Sequence, residues 1–175
     1  MGYNAFSIQY RTGGAQVACE DLAQAIDFIM HHAEELQVST DNYSLWGGSA
    51  GARMAAYLGS YSTQGFINAT HERPATVIMG YTGHSEYTPE DPPTYVIIGE
   101  DDAIASPATM RRRVENLQAL GIDAEFHLLP DLRHGFGLGI GTTAEGWEKE
   151  AVRFWEKYIC LLYTSPSPRD GATSR

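Results

Sequence analysis

Apolar residues recur along this chain with two alternating periods. Ala18, Leu22, Ala25, Ile26, Ile29, Ala33 and Leu36 fall at steps of three and four, so one amphipathic helix is expected over 17–37. Ala5 to Tyr10 alternates with a period of two and reads as a strand. Tyr43-Ser44-Leu45-Trp46 is a second strand, followed by helical pattern from Ala50 to about Gly59. Ala75–Met79, Thr94–Ile98 and Ala124–Leu129 are short, apolar and bounded by turn residues, as buried strands are. Between the last two, Ser106-Pro107 reads as a helix N-cap with proline in the first turn. Met110, Val114, Leu117 and Leu120 then form an apolar stripe that stops at Gly121. Thr142 with Glu145 is a capping box expected to open a last helix whose Trp147, Ala151, Phe154 and Tyr158 face the sheet. Strands alternating with helices predict an α/β fold: a mostly parallel sheet of about five strands flanked by helices.

Composition narrows the function. The 175 residues suffice for one domain with its own core, and 43% hydrophobic with 19% charged content is the balance of a globular chain. The formal net charge of -10 argues against a nucleic-acid partner, which needs a basic face. The one basic cluster, Arg111-Arg112-Arg113, lies in a helix pattern and reads as a solvated face. No apolar run reaches the roughly 20 residues of a membrane span. Two cysteines, Cys19 and Cys160, make neither a disulfide framework nor a zinc site. Met1 runs into the strand pattern without lead-in, so it reads as an internal methionine or a clipped end, with any targeting segment upstream. From Cys160 the periodicity stops. Residues 160–175 read as a non-native tail, an adapter-like scar outside the fold.

Candidate chemistry gathers on three positions. Gly47-Gly48-Ser49-Ala50-Gly51 places a G-x-S-x-G pentad between a strand and a helix, the setting of a nucleophile elbow. Gly47 and Gly51 are expected to avoid clashes across that turn, and the Ala50 N–H to face a developing oxyanion. A serine hydroxyl needs a base to take its proton, and the base needs a carboxylate to orient it. Asp102 and His134 each follow a strand, at the edge where open α/β sheets hold ligands, and the order Ser, Asp, His is that of an α/β-hydrolase triad. The bland alternatives are a chance pentad in a glycine-rich loop, a solvated loop acid and a surface histidine. Asp101 rivals Asp102. His84 lies in the Tyr81–Pro93 loop, where substrate contact competes with an ordinary loop role. His127 reads as a strand residue, packed or partly exposed, His31 and His32 as helical, and His71 as a loop residue.

With Gly-Glu-Asp-Asp at 99–102 and His-Gly-Phe-Gly at 134–137, the chain resembles the α/β-hydrolase superfamily, specifically bacterial acetyl-esterase/lipase-like serine hydrolases. These are similar in turn to the catalytic domain of prolyl-oligopeptidase-type enzymes. The resemblance implies a carboxylic ester hydrolase acting on small-molecule short-chain acyl or acetyl esters, acetylated carbohydrates among them, without metal or cofactor. It assigns Ser49 as nucleophile, His134 as base, Ala50 as oxyanion donor and Asp102, three residues past Gly99, as the acid. Such esterases carry a His-Gly-Gly oxyanion turn after their third strand. Residues 2–11 resemble the fourth, so residues 1–159 read as the C-terminal two-thirds of a single domain, itself poorly active. The rival readings are a prolyl-oligopeptidase-like peptidase and a non-catalytic hydrolase-fold binding protein.

Overall fold

A computed structural model describes residues 2–160. Four strands, β1 (Ser44–Gly48), β2 (Thr76–Gly80), β3 (Thr94–Gly99) and β4 (Ala124–Leu129), form one sheet in sequential order. All three pairings are parallel, with Leu45 opposite Val77, Val77 opposite Thr94 and Thr94 opposite Ala124. Helices α1 (Ala15–His31), α2 (Ala33–Leu36), α3 (Ala50–Tyr61), α4 (Pro107–Ala119) and α5 (Trp147–Cys160), with a short 3-10 turn at Thr63–Gly65, complete the elements among the described residues.

The period of two sorts the strand side chains between two layers. Val77, Met79, Val96 and Ile98 pack with α1, α3 and α4 through Ala23, Ile26, Ala52, Leu58, Met110 and Leu117. Ile78, Tyr95 and Ile97 turn the other way, onto Ala151 and Phe154 of α5. β2 and β3 are therefore buried on both faces, which is why their sequences are continuously apolar. Helix α4 follows its local code: the Ser106 hydroxyl accepts from the Thr109 N–H at 3.3 Å, and Pro107 fills the first turn.

Four expectations change. The helix expected over 17–37 breaks at His32, whose φ of -109° and ψ of 18° separate α1 from α2. The imidazoles of His31 and His32 face the carbonyl oxygens of Asp27 and Phe28 at 2.8 and 2.7 Å, so side chains compete for the last turn. Thr142 and Glu145 shape a turn and do not cap the helix: Gly141 N–H donates to the Glu145 carboxylate at 2.9 Å, and α5 starts only at Trp147, after Gly146 with φ +88°. Residues 5–10 form no ladder, which leaves four strands where about five were expected. Alternation makes a segment fit for pairing, but a strand exists only with a partner. This segment is held by side chains: the Tyr3 ring lies 4.7 Å from that of Trp155, and Arg11 clasps Asp21 through its backbone N–H at 2.7 Å and its guanidinium at 2.6 Å.

Arg113 is the fourth correction. It is buried, not solvated, and its guanidinium meets Asp91 at 2.6 Å. Asp91 Oδ1 also accepts from the Ser60 hydroxyl at 2.6 Å and the Thr88 N–H at 3.0 Å, while Arg113 Nε donates to the Glu86 carbonyl at 3.1 Å. The network ties α3, α4 and the loop after β2 together. Burial lowers the Arg113 pKa, and Asp91 works against that shift. The tail expected over 160–175 lies outside the described residues from 161 onward.

Candidate active site

Strand β1 delivers its chain to the sheet's carboxyl edge and turns straight into α3 at Ser49. Ser49 has φ 52° and ψ -115°, a strained backbone for a residue with a side chain. The turn is closed by its N–H, which donates to the Gly80 carbonyl at 2.9 Å. A Cβ on Gly47 would stand 2.2 Å from the Gly51 carbonyl carbon, so the strand and the helix start meet only because position 47 has no side chain. Gly51 differs from expectation: a Cβ there meets nothing within 4 Å, because it points away from the turn. Ala50 opens α3 and is exposed, its N–H among the first-turn donors that lack an intrahelical partner.

Ser49, His134 and Asp102 converge. Ser49 Oγ lies 2.9 Å from His134 Nε2, and His134 Nδ1 lies 2.8 and 3.0 Å from the two Asp102 oxygens. An ionised carboxylate only accepts, so Nδ1 carries the proton and Nε2 is free to accept from the serine hydroxyl. The Asp102 side chain is fully buried, and its Oδ1 also accepts the N–H groups of Ile104 at 2.9 Å and Ala105 at 2.7 Å. Asp101 is exposed; only its backbone takes part, donating to the Leu132 carbonyl at 3.1 Å. The geometry thus separates two adjacent aspartates that sequence left as rivals.

Two further residues shape this constellation: Gly99, which in the sequence served only to count forward to the acid, and Tyr81. A Cβ on Gly99 would stand 2.0 Å from the Leu132 carbonyl oxygen, so the loop carrying His134 can close onto the end of β3 only over a glycine. Its signal was present, since Gly99 ends an apolar strand two residues before the acidic pair. Tyr81, at φ 37° just past β2, sets its ring edge-on to His134 at 5.2 Å and to Phe136 at 4.7 Å. Nothing in its sequence neighbourhood marks it.

Ser49 and His134 open onto a cavity of about 710 Å³. Residues 10–15, Cys19 of α1, Arg53 and Tyr57 of α3, Tyr81–Gly83 and Ile104–Ser106 wall it. Burial pushes the Cys19 thiol up to about 11, so it is a neutral wall residue. His84 does not line the cavity. It is buried beside Tyr57, ring centroids 4.6 Å apart, and burial, aided by the Arg113 charge, drives its pKa down to about 4. His127 is half-exposed, stacked on Tyr95 at 4.3 Å and 3.0 Å from Glu125. Among the described residues no helix is long and apolar enough to cross a membrane.

Residues 1–82 match the BD-FAE family model. No curated protein sequence matches the chain. Among solved structures, the chain is similar to MGS-M1, an alpha/beta hydrolase enzyme from a Medee basin deep-sea metagenome library, at 22% identity and TM-score 0.67, over 82% of this chain and 65% of that one. It thus spans just under two thirds of that protein's length. A truncated carbohydrate esterase from gut microbiota aligns at 14% identity and TM-score 0.72, over 87% and 73% of the two chains. An acetyl ester-xyloside bifunctional hydrolase from Caldicellulosiruptor lactoaceticus aligns at 18% identity and TM-score 0.69, over 90% and 71%.

Proposed function

We propose that this chain, whose fold is that of the α/β-hydrolases, is a serine hydrolase of carboxylic esters. The observation that carries the reading is the continuous relay from the buried Asp102 carboxylate through the His134 imidazole to Ser49 Oγ, open to the cavity. As Ser49 Oγ attacks an ester carbonyl, His134 Nε2 takes its proton and Asp102 stabilises the resulting imidazolium. The carbonyl oxygen becomes an oxyanion, and the Ala50 N–H at the α3 N-terminus is the donor nearest in sequence to receive it. His134 then returns the proton to the leaving alcohol, and the acyl group stays on Ser49. Water, deprotonated by the same imidazole, releases the acid.

Short-chain acyl or acetyl esters are the substrate class, acetylated carbohydrates among them. In support, two of the similar structures bear the names of a carbohydrate esterase and an acetyl ester-xyloside hydrolase. The cavity is roomy for an acetyl group alone, and the tyrosines 10, 57 and 81 on its walls offer flat apolar faces beside polar Arg53 and Ser106.

Turnover of p-nitrophenyl acetate tests the roles. Ser49→Ala and His134→Ala should each lower kcat by about 10⁴-fold or more, and Ser49→Ala should abolish labelling by a fluorophosphonate. Retention of more than about a tenth of the activity in either variant sinks the assignment. Failure of the intact chain to take the label favours a binding protein.

A further inference from the structure

Away from the cavity, Asp27 and His31 stand four residues apart on α1 and share one face of the helix. His71 reaches them from the loop between α3 and β2, 44 residues from Asp27 in sequence. Its Nε2 lies 2.7 Å from Asp27 Oδ1, and His31 Nδ1 lies 3.3 Å from that same oxygen. One nitrogen or oxygen from each of the three lies within 4.8 Å of the others.

Ligands at about 2.0–2.1 Å in a tetrahedron stand about 3.4 Å from one another, so His31 and Asp27 already have that spacing, His71 and Asp27 need to part by under about 1 Å, and the remaining pair needs to close by no more than about 1.4 Å. Two imidazoles and one carboxylate suit zinc, and three protein ligands leave a fourth position for water. His31 keeps that position open, its side chain being 64% exposed, while His71 at 17% is the anchored partner. The His71 backbone is already fixed: its N–H donates to Thr63 Oγ1 at 3.1 Å and its carbonyl accepts from Ser62 Oγ at 3.0 Å. His31 Nδ1 donates to the Asp27 carbonyl at 2.8 Å, so ligation through this nitrogen displaces its proton and turns the ring away from that carbonyl.

We propose that Asp27, His31 and His71 form a Zn²⁺ site that clips the C-terminal end of α1 to the loop before β2. The same helix walls the cavity with Ala15, Ala18 and Cys19 at its other end, so the ion steadies one wall of that cavity. The inference is independent of the esterase reading.

Calorimetric titration of chelator-treated full chain with Zn²⁺ tests it, with no substrate present. The expected result is 1:1 uptake, with a melting temperature raised by about 5–10 °C when free Zn²⁺ is about 100 times its Kd. His31→Gln and His71→Gln should each weaken uptake by about 10-fold or more, whereas His134→Gln should leave it unchanged. His31 is exposed enough that its variant will fold even if the His71 variant does not. Substituted Co²⁺ should give visible d–d bands in the intact chain and lose them in His31→Gln. No 1:1 uptake below about 1 mM Zn²⁺, or equal affinity in His31→Gln and the intact chain, overturns the site. Uptake abolished by His134→Gln alone assigns the metal to the cavity and overturns it too.

Discussion

At the scale of single residues, a strained serine stands in the cavity and a desolvated imidazole stands behind its wall. Ser49 holds a backbone conformation that costs on the order of 1–3 kcal/mol, and the hydrogen bond to Gly80 helps to hold it there. His84, a short way behind the wall, is buried neutral with its Nε2 without a hydrogen-bond partner. Its pKa, near 6.5 in an unfolded chain, falls to about 4 in the fold. The unfolded state therefore binds a proton that the folded state refuses. Stability is full above pH 6.5 and is lost progressively as pH falls towards 4, by up to about 3 kcal/mol. His84→Phe removes this proton uptake. Urea unfolding of the variant should show a visibly flatter stability profile between pH 6.5 and 4 than the intact chain, and equal slopes would refute the account.

At the scale of elements, the loop after β2 is fastened from behind. It carries Tyr81, Thr82 and Gly83 into the cavity wall, and its far end holds Asp91 against Arg113 of α4. Both side chains are almost fully buried, so removing one partner strands the other's charge. Arg113→Met should cost about 3–5 kcal/mol in urea unfolding, while adding Asp91→Leu should cost less than the sum of the two single changes. Additive costs would mean that the pair is not coupled. Sequence misread this element because Arg113 sits in a run of three arginines. Burial of the third was decided by an acid on this loop, 22 residues away in sequence. The same limit explains the other misreadings. Residues 5–10 have strand alternation but no ladder partner, and the apolar steps over 17–37 continue through a break that side-chain competition makes at His32.

At the scale of the whole molecule, the surface carries a net negative charge, the formal net charge being -10 and the sequence pI near 4.9. Such a surface repels phosphate backbones, so the chain should not shift duplex DNA in a gel at about 50 mM salt, and a shift there would refute the electrostatic reading. The sequence by itself determined the parallel α/β architecture, since periods of two and of three to four alternate along it and β2 and β3 are apolar enough to be buried on both faces. It also brought a serine, a pair of neighbouring aspartates and a histidine to one edge, because strand ends in a parallel sheet share that edge. The tertiary structure alone decided what depends on distance across the fold. Asp102 and not Asp101 meets His134 because the loop beyond β4 closes over Gly99. Tyr81 flanks the imidazole, Arg113 is paired inside, and His71 joins Asp27 and His31 across 44 residues of chain. Periodicity records which face of its own element a side chain occupies. What stands opposite that face is set by packing between elements far apart in sequence, and no local pattern encodes it.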